Sequence, residues 1–349
     1  MSIHSTVSIQ STVLRTGGAL AVAVALIAGL AACASDAAPA ADVKKTSDAG
    51  VTTTSVVVGA AANGAAEQST IDVETVKAIR DTLPQEVLDS GKLVIGVGDL
   101  PAGFPPLAFT GDDQTTETGA EPDLGRLVAA VFGLEPEFEK STWENLFVGI
   151  DSGETNLGFS NITVTEERKL KYDFASYRQD NLGWETAATS DWEFDGDYEN
   201  LDGLTVSVSA GTNQEKILLE WQAKLKEEGK SVEIKYFPDT NSTYLALNSG
   251  KIDASFGPNP GIAYHVTQTA GTPNATRAAG TFSGAGETLQ GLIAATTKKD
   301  SGLAQPAADA INYLIENGQY ATWLAVWNLT NESVDASEVN PAGLPITNE

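Results

Sequence analysis

Two stretches of this chain echo each other, and their shared pattern restricts the fold more than any other feature. Asp151-Ser152-Gly153-Glu154-Thr155-Asn156-Leu157-Gly158-Phe159 resembles Asn248-Ser249-Gly250-Lys251-Ile252-Asp253-Ala254-Ser255-Phe256. Each follows a helical pattern (Trp143 to Ile150; Thr240 to Leu247), turns at Ser-Gly and enters a short apolar strand. Each strand then runs into a polar loop, Ser160-Asn161 in one case and Gly257-Pro258-Asn259 in the other. Chance similarity over so short a stretch is the alternative. A helix–turn–strand unit used twice otherwise implies two lobes of similar design. Their strand-end loops should face one cleft, because open α/β sheets bind ligands beyond the carboxyl ends of their strands.

The surrounding sequence agrees. Lys92 to Val97 is a buried-strand pattern closed by glycines. After Pro122, the residues Leu124, Leu127, Val128, Val131 and Phe132 form one helical apolar stripe, with Gly133 as a C-terminal stop. Alternating strands and helices predict sheets covered by helices.

The N-terminus reads differently. Arg15 is the basic residue ahead of an apolar run, Ala19 to Leu30. That run is shorter than the roughly 20 residues a spanning helix needs but suits the core of a signal peptide. Leu30-Ala31-Ala32-Cys33 then looks like the bacterial lipobox, whose Cys becomes the lipidated first residue of the mature protein. Two or more acyl chains anchor stably where one does not. The alternative is an ordinary secretory signal with Cys33 there by accident; the chain's single Cys sits at the position the motif requires. The sequence therefore predicts a signal peptide over 1–32 and a lipid anchor on Cys33.

Residues 33–70, rich in Ala, Thr, Ser, Gly and Val, read as a flexible tether that cannot bury enough apolar surface to offset its ordering entropy. Val56-Val57-Val58 is strand-like, without a visible partner. Folded structure is expected to begin with an amphipathic helix over Ile71 to Ile79.

Charge excludes some functions. The chain has 349 residues, with 21 basic against 47 acidic, a formal net charge of −26. Nucleic-acid and anionic-membrane binding need a basic footprint, which this chain lacks. A solvated acidic surface is the plain reading, and preference for cationic ligands is the specific one. Catalytic and metal signatures are thin: two His, no zinc spacing and no persuasive Ser-His-Asp order. His265 is expected on a second-lobe helix, as packing or surface. Carboxylate pairs leave acid–base chemistry open.

Phe159-Ser160-Asn161-Ile162-Thr163-Val164-Thr165-Glu166-Glu167-Arg168-Lys169, followed by Tyr172-Asp173-Phe174, resembles the bacterial extracellular solute-binding proteins of family 3. These are the polar amino-acid-binding proteins of ABC importers. Their pattern is a strand, a Ser/Thr-rich loop, Thr-x-x-Arg, then an aromatic and Asp-Phe. Phe104-Pro105-Pro106, Trp143-Glu144-Asn145-Leu146, Gly211-Thr212-Asn213-Gln214-Glu215 and the stretch from Asn317 to Trp327 agree with it in order.

The resemblance implies an α/β, two-lobed, type II periplasmic-binding-protein-like fold, each lobe a mixed sheet flanked by helices, joined by a two-strand hinge. Lobe 1 would hold 71–186 and 287–349, and lobe 2 would hold 187–286, with crossings near Trp184 to Ala188 and Thr288 to Ile293. It implies that Arg168 clamps a ligand carboxylate, as a bidentate guanidinium can; a surface ion pair with Glu166 or Glu167 is the rival use. Asn161, Thr163 and Thr212 would add polar groups, and Phe104 and Trp143 would sandwich the ligand side chain, or else pack in the core.

One position departs from the family. Its ammonium-binding Asp corresponds here to Pro258, so Asn259, Glu287 or Asp99 takes that role or the ligand has no α-amino group. The implied function is a lipid-anchored, extracytoplasmic binding protein without cofactor or catalytic activity. It would be a monomer that captures a small amino-acid-like carboxylate by hinge closure and hands it to an ABC permease. A dehydratase-like enzyme on the same fold and a ligand-sensing receptor subunit are the alternatives.

Overall fold

The computed structural model describes residues 42–47 and 51–346. Cys33 and the segment 1–32 lie outside these residues. The fold centres on a nine-stranded mixed sheet. Its backbone is the strand Tyr172–Ala187, long enough to serve two cores. Residues Tyr172 to Asp180 pair antiparallel with Gly291–Lys298, whereas Asn181 to Ala187 pair with Thr276–Ser283, and Leu182 to Thr186 also with Ala254–Pro258.

The echo in the sequence is an echo in space. In one lobe the strand after the Ser-Gly turn, Leu157–Gly158, lies parallel to Lys92–Val97. In the other, Ala254–Pro258 lies parallel to Thr205–Ser207. Each copy is preceded by its helix, Trp143–Ser152 and Thr240–Asn248. Further parallel strands, Glu135–Lys140 and Glu233–Lys235, extend the two halves outward.

Two apolar cores follow from this arrangement. The larger gathers Leu93, Ile95, Val97, the stripe of helix Ala120–Phe132, and Trp323 and Trp327 from the C-terminal helices. The second gathers Leu182, Trp184, Val206, Trp221 and Phe256. Along the long strand, the change of core falls between Tyr177 and Leu182, a few residues ahead of the expected crossing near Trp184. The strand does not break where it changes partner, so no turn residue marks the position. Gly119 starts the stripe helix at φ 124, and a Cβ there would lie 2.2 Å from the Leu107 carbonyl oxygen. Only glycine fits.

The expected tether to residue 70 gives way to strands from Val43 on, Val43–Thr46 pairing antiparallel with Thr52–Val58. Thr52–Val58 and Ser69–Glu74 form an antiparallel pair, with Val56, Val58, Ile71 and Val73 buried in the larger core. The expected helix over 71–79 is a strand to Glu74 followed by a short helix, Lys77–Arg80. The physical reason is burial: these aliphatic side chains find a face on helix Ala120–Phe132, and each contributes roughly 1.5–3 kcal/mol there. A hydrogen bond from the Gly59 amide to Asp123 Oδ2 (2.7 Å) fixes the turn between the strands.

The C-terminal segment also ties the lobes. Leu344 pairs with Thr165 beside the first lobe, yet its side chain is buried in the second core. Lys216, on the second-lobe helix Asn213–Glu227, donates to the Ile346 carbonyl at 2.8 Å.

Candidate functional site

A cavity of about 450 Å³ lies where the strand ends of both lobes meet. Three of the helix N-termini that border it are set by a side-chain cap. Thr142 accepts from the Asn145 amide, Thr212 from the Glu215 amide (3.2 Å), and Asp239 from the Ser242 amide (2.8 Å). Such ends present free N–H groups and a partial positive charge. Glu215 completes the second cap by accepting from the Gly211 amide at 2.6 Å. The lobes touch at the cavity edge, where Trp143 Nε1 lies 3.4 Å from the Gly211 carbonyl oxygen.

Of the residues singled out in the sequence, Phe104, Trp143, Asn161 and Thr212 line the cavity, and Thr163, Arg168 and Asn259 do not. Asn161 sits at φ 54, a left-handed turn that side-chain amides tolerate. Its amide donates to Glu121 Oε2 (3.1 Å), and its side-chain oxygen faces Arg178. Thr163 is buried and donates to Asp180 Oδ2 at 2.7 Å.

Arg168 lies behind the Trp143 wall. Its guanidinium donates to the Thr163 carbonyl (2.9 Å) and, across the lobes, to the Gly211 carbonyl (3.2 Å). It also lies over the Trp143 ring, 5.3 Å from the centroid. Burial lowers its pKa to about 10, which leaves it charged at neutral pH. Asn259 opens the helix Asn259–Thr269 just outside the lining, whereas Pro258 and Asp99 are in it and Glu287 is exposed.

Buried carboxylates surround the cavity. Glu121 is fully buried and ion-paired to Arg178 (2.8 Å), with the Tyr177 hydroxyl on its other oxygen. Arg178 is shared with Glu332, and the two carboxylates hold its pKa above the usual arginine value despite burial. Asp99 shares Lys140 with Glu117, at 3.3 Å and 2.6 Å. Burial raises both acids, Glu117 to about 7. Glu185, on the long strand, is 1% exposed, lines the cavity and contacts His265 Nδ1 through Oε1.

Sequence reasoning missed Glu121, Arg178 and Glu185. Their signal is faint: charged residues at the mouth of an apolar helix and inside a strand that is otherwise apolar or small. Among the described residues no group of His, Cys, Asp and Glu is arranged to hold a metal ion. None of the described helices is long and apolar enough to cross a membrane.

Known proteins resemble this chain. It is 29% identical to the L-cystine-binding protein TcyJ of Escherichia coli (strain K12) over 191 residues, 52% of this chain and 64% of that protein's length. It is 27% identical to the arginine-binding protein ArgT of Corynebacterium glutamicum over 270 residues, 76% of this chain and 84% of the relative. In fold it matches the crystal structure of the arginine-, lysine-, histidine-binding protein ArtJ from Geobacillus stearothermophilus. That match has a TM-score of 0.56 at 23% identity and covers 68% of this chain and 94% of the other. The sequence pattern of the bacterial extracellular solute-binding proteins, family 3, matches residues 95–330, and the chain belongs to that family.

Proposed function

We propose that this protein captures a small amino-acid-like solute between its lobes and delivers it, unaltered, to an ABC permease while a lipid on Cys33 holds it at the membrane. The observation that carries this reading is the double character of the cavity. Three capped helix N-termini suit a carboxylate, and buried acids on the facing loops and strands suit an ammonium. A zwitterion answers both. Phe104 and Trp143 supply apolar walls for its side chain, and Asn161 and Thr212 supply polar groups. Arg168 acts at the closed edge, where it joins Trp143 to the second lobe and adds positive charge near the carboxylate. Ligand contacts drawn from both lobes bias the closed state, so binding and hinge closure are one equilibrium.

Isothermal titration of the Cys33→Ala chain against the amino acids tests the proposal. This variant is expected to leave the membrane fraction with affinity intact. Arg168→Ala should weaken binding about tenfold or more, and mass spectrometry should recover the ligand unchanged. No binding by any amino acid, or turnover of the ligand, refutes the reading. Unchanged affinity in Arg168→Ala removes that residue from the site.

A further inference from the structure

We infer that the bound solute carries a second cationic group, an ammonium or a guanidinium, which lodges on a polar row formed by Ser207, Ser255 and Glu185 across the floor of the second lobe. This rests on the amino-acid-like reading above and names the chemistry of the side chain.

The row follows from strand register. Ser207 pairs with Ser255, and Ser255 with Glu185, across three neighbouring strands. Directly paired residues point to the same face of a sheet, so the three side chains form a line roughly 10 Å long. All three line the cavity. Ser207 is 2% exposed, and its Oγ has no hydrogen-bond partner among the described residues. A buried hydroxyl left without a partner costs about 1–3 kcal/mol, which a donor entering the cavity would relieve.

Glu185 is built to receive that donor. His265 Nδ1 holds its Oε1, leaving Oε2 outside that bond. The His265 ring is itself fixed by stacking on Tyr244, with centroids 3.4 Å apart and planes 1° from parallel. Tyr244 also lines the cavity. The carboxylate is therefore held in one orientation at the cavity floor.

The surrounding charge has the same sign. The cavity is lined by Asp99, Glu121, Glu144, Glu185 and Asp239, and among the described residues its lining includes no Lys, Arg or His. Behind the wall, two cations each serve two acids, Lys140 between Asp99 and Glu117 and Arg178 between Glu121 and Glu332, while Arg168 meets backbone carbonyls at the cavity edge. Asp99 Oδ1 is buried without a hydrogen-bond partner among the described residues. Each cluster thus has more acids than bases, in a site where water screens poorly. A neutral side chain reaching Glu185 would desolvate it without compensation, whereas a cation would pair with it.

Calorimetry of the full chain with matched ligands tests the inference. L-arginine is compared with L-citrulline, and L-lysine with L-norleucine; L-cystine and the remaining amino acids complete the panel. The cation of each pair should bind at least about tenfold tighter than its neutral counterpart. Glu185→Gln should bring each pair within about threefold by weakening the cation alone, and Ser207→Ala should weaken L-arginine by about threefold to tenfold. Thermal unfolding checks that both variants are folded; if Glu185→Gln is not, Ser207→Ala carries the test. Equal binding within the pairs, preference for a ligand without a second cationic group, or retained preference in a folded Glu185→Gln overturns the inference and leaves the broader function standing. Failure of every amino acid to bind removes both.

Discussion

Lys140 stands between two buried acids, and the consequence is a pH dependence. Desolvation dominates at Glu117, raising its carboxyl from the ordinary glutamate value to about 7, and the nearby Lys140 only partly offsets this. Between the unfolded value near 4.5 and about 7, the folded state holds a proton that the unfolded state has released. Stability contributed by this group is therefore present at low pH and falls as pH rises through that window. With solvent screening allowed for, the loss is about 2 kcal/mol. Glu117→Gln should lose that much less stability than the wild type between pH 5 and pH 8, measured by urea unfolding at both. Parallel losses in the two proteins would show that Glu117 does not titrate as described.

Single residues also mark the limit of what the sequence discloses. That Phe104, Trp143, Asn161 and Thr212 would line a cavity was legible because a motif fixes each beside a turn or a helix start. Arg178 and Glu185 were not, because nothing in a string of letters says which polar side chain of a strand turns inward. Arg168 lay in a recognised motif, yet its donors meet backbone carbonyls behind Trp143. The motif gave the residue type but not its rotamer.

At the level of elements, the doubled helix–turn–strand unit was readable because its period, its Ser-Gly turn and its polar loop all agree. The N-terminal hairpin was not. Ile71 and Val73 alternate as a strand does, but Val76 and Ile79 beyond them extend a helical spacing, so two periods fit one short window. The partner that settles the matter, helix Ala120–Phe132, lies far along the chain. The hairpin makes a clear prediction. Val58→Ala should lower unfolding free energy by about 2 kcal/mol, seen in urea titration; a tether would give no change.

For the whole molecule, the proposed closure would depend on close approach between the lobes. A Cβ at Gly261, on the second-lobe helix, would lie 2.6 Å from Cε2 and Cζ of Phe104. Gly261→Ala should therefore wedge the cavity open, lowering affinity about tenfold through faster dissociation in stopped-flow measurements while leaving thermal stability nearly unchanged. Unaltered dissociation would mean that Phe104 yields and the contact does not govern closure.

The C-terminal segment adds a leash to that motion. Two strands alone would let the lobes swing as far as their backbone allows, but Leu344 is seated in one core while its backbone is stitched beside Thr165 of the other. In the hinge motion proposed above, the jaws would part only as far as this short cord pays out, or until Leu344 is pulled from its seat and exposed to water. If the protein works as proposed, this cord would keep the empty form close to the shape it needs when full, and each capture would begin from a narrow range of postures.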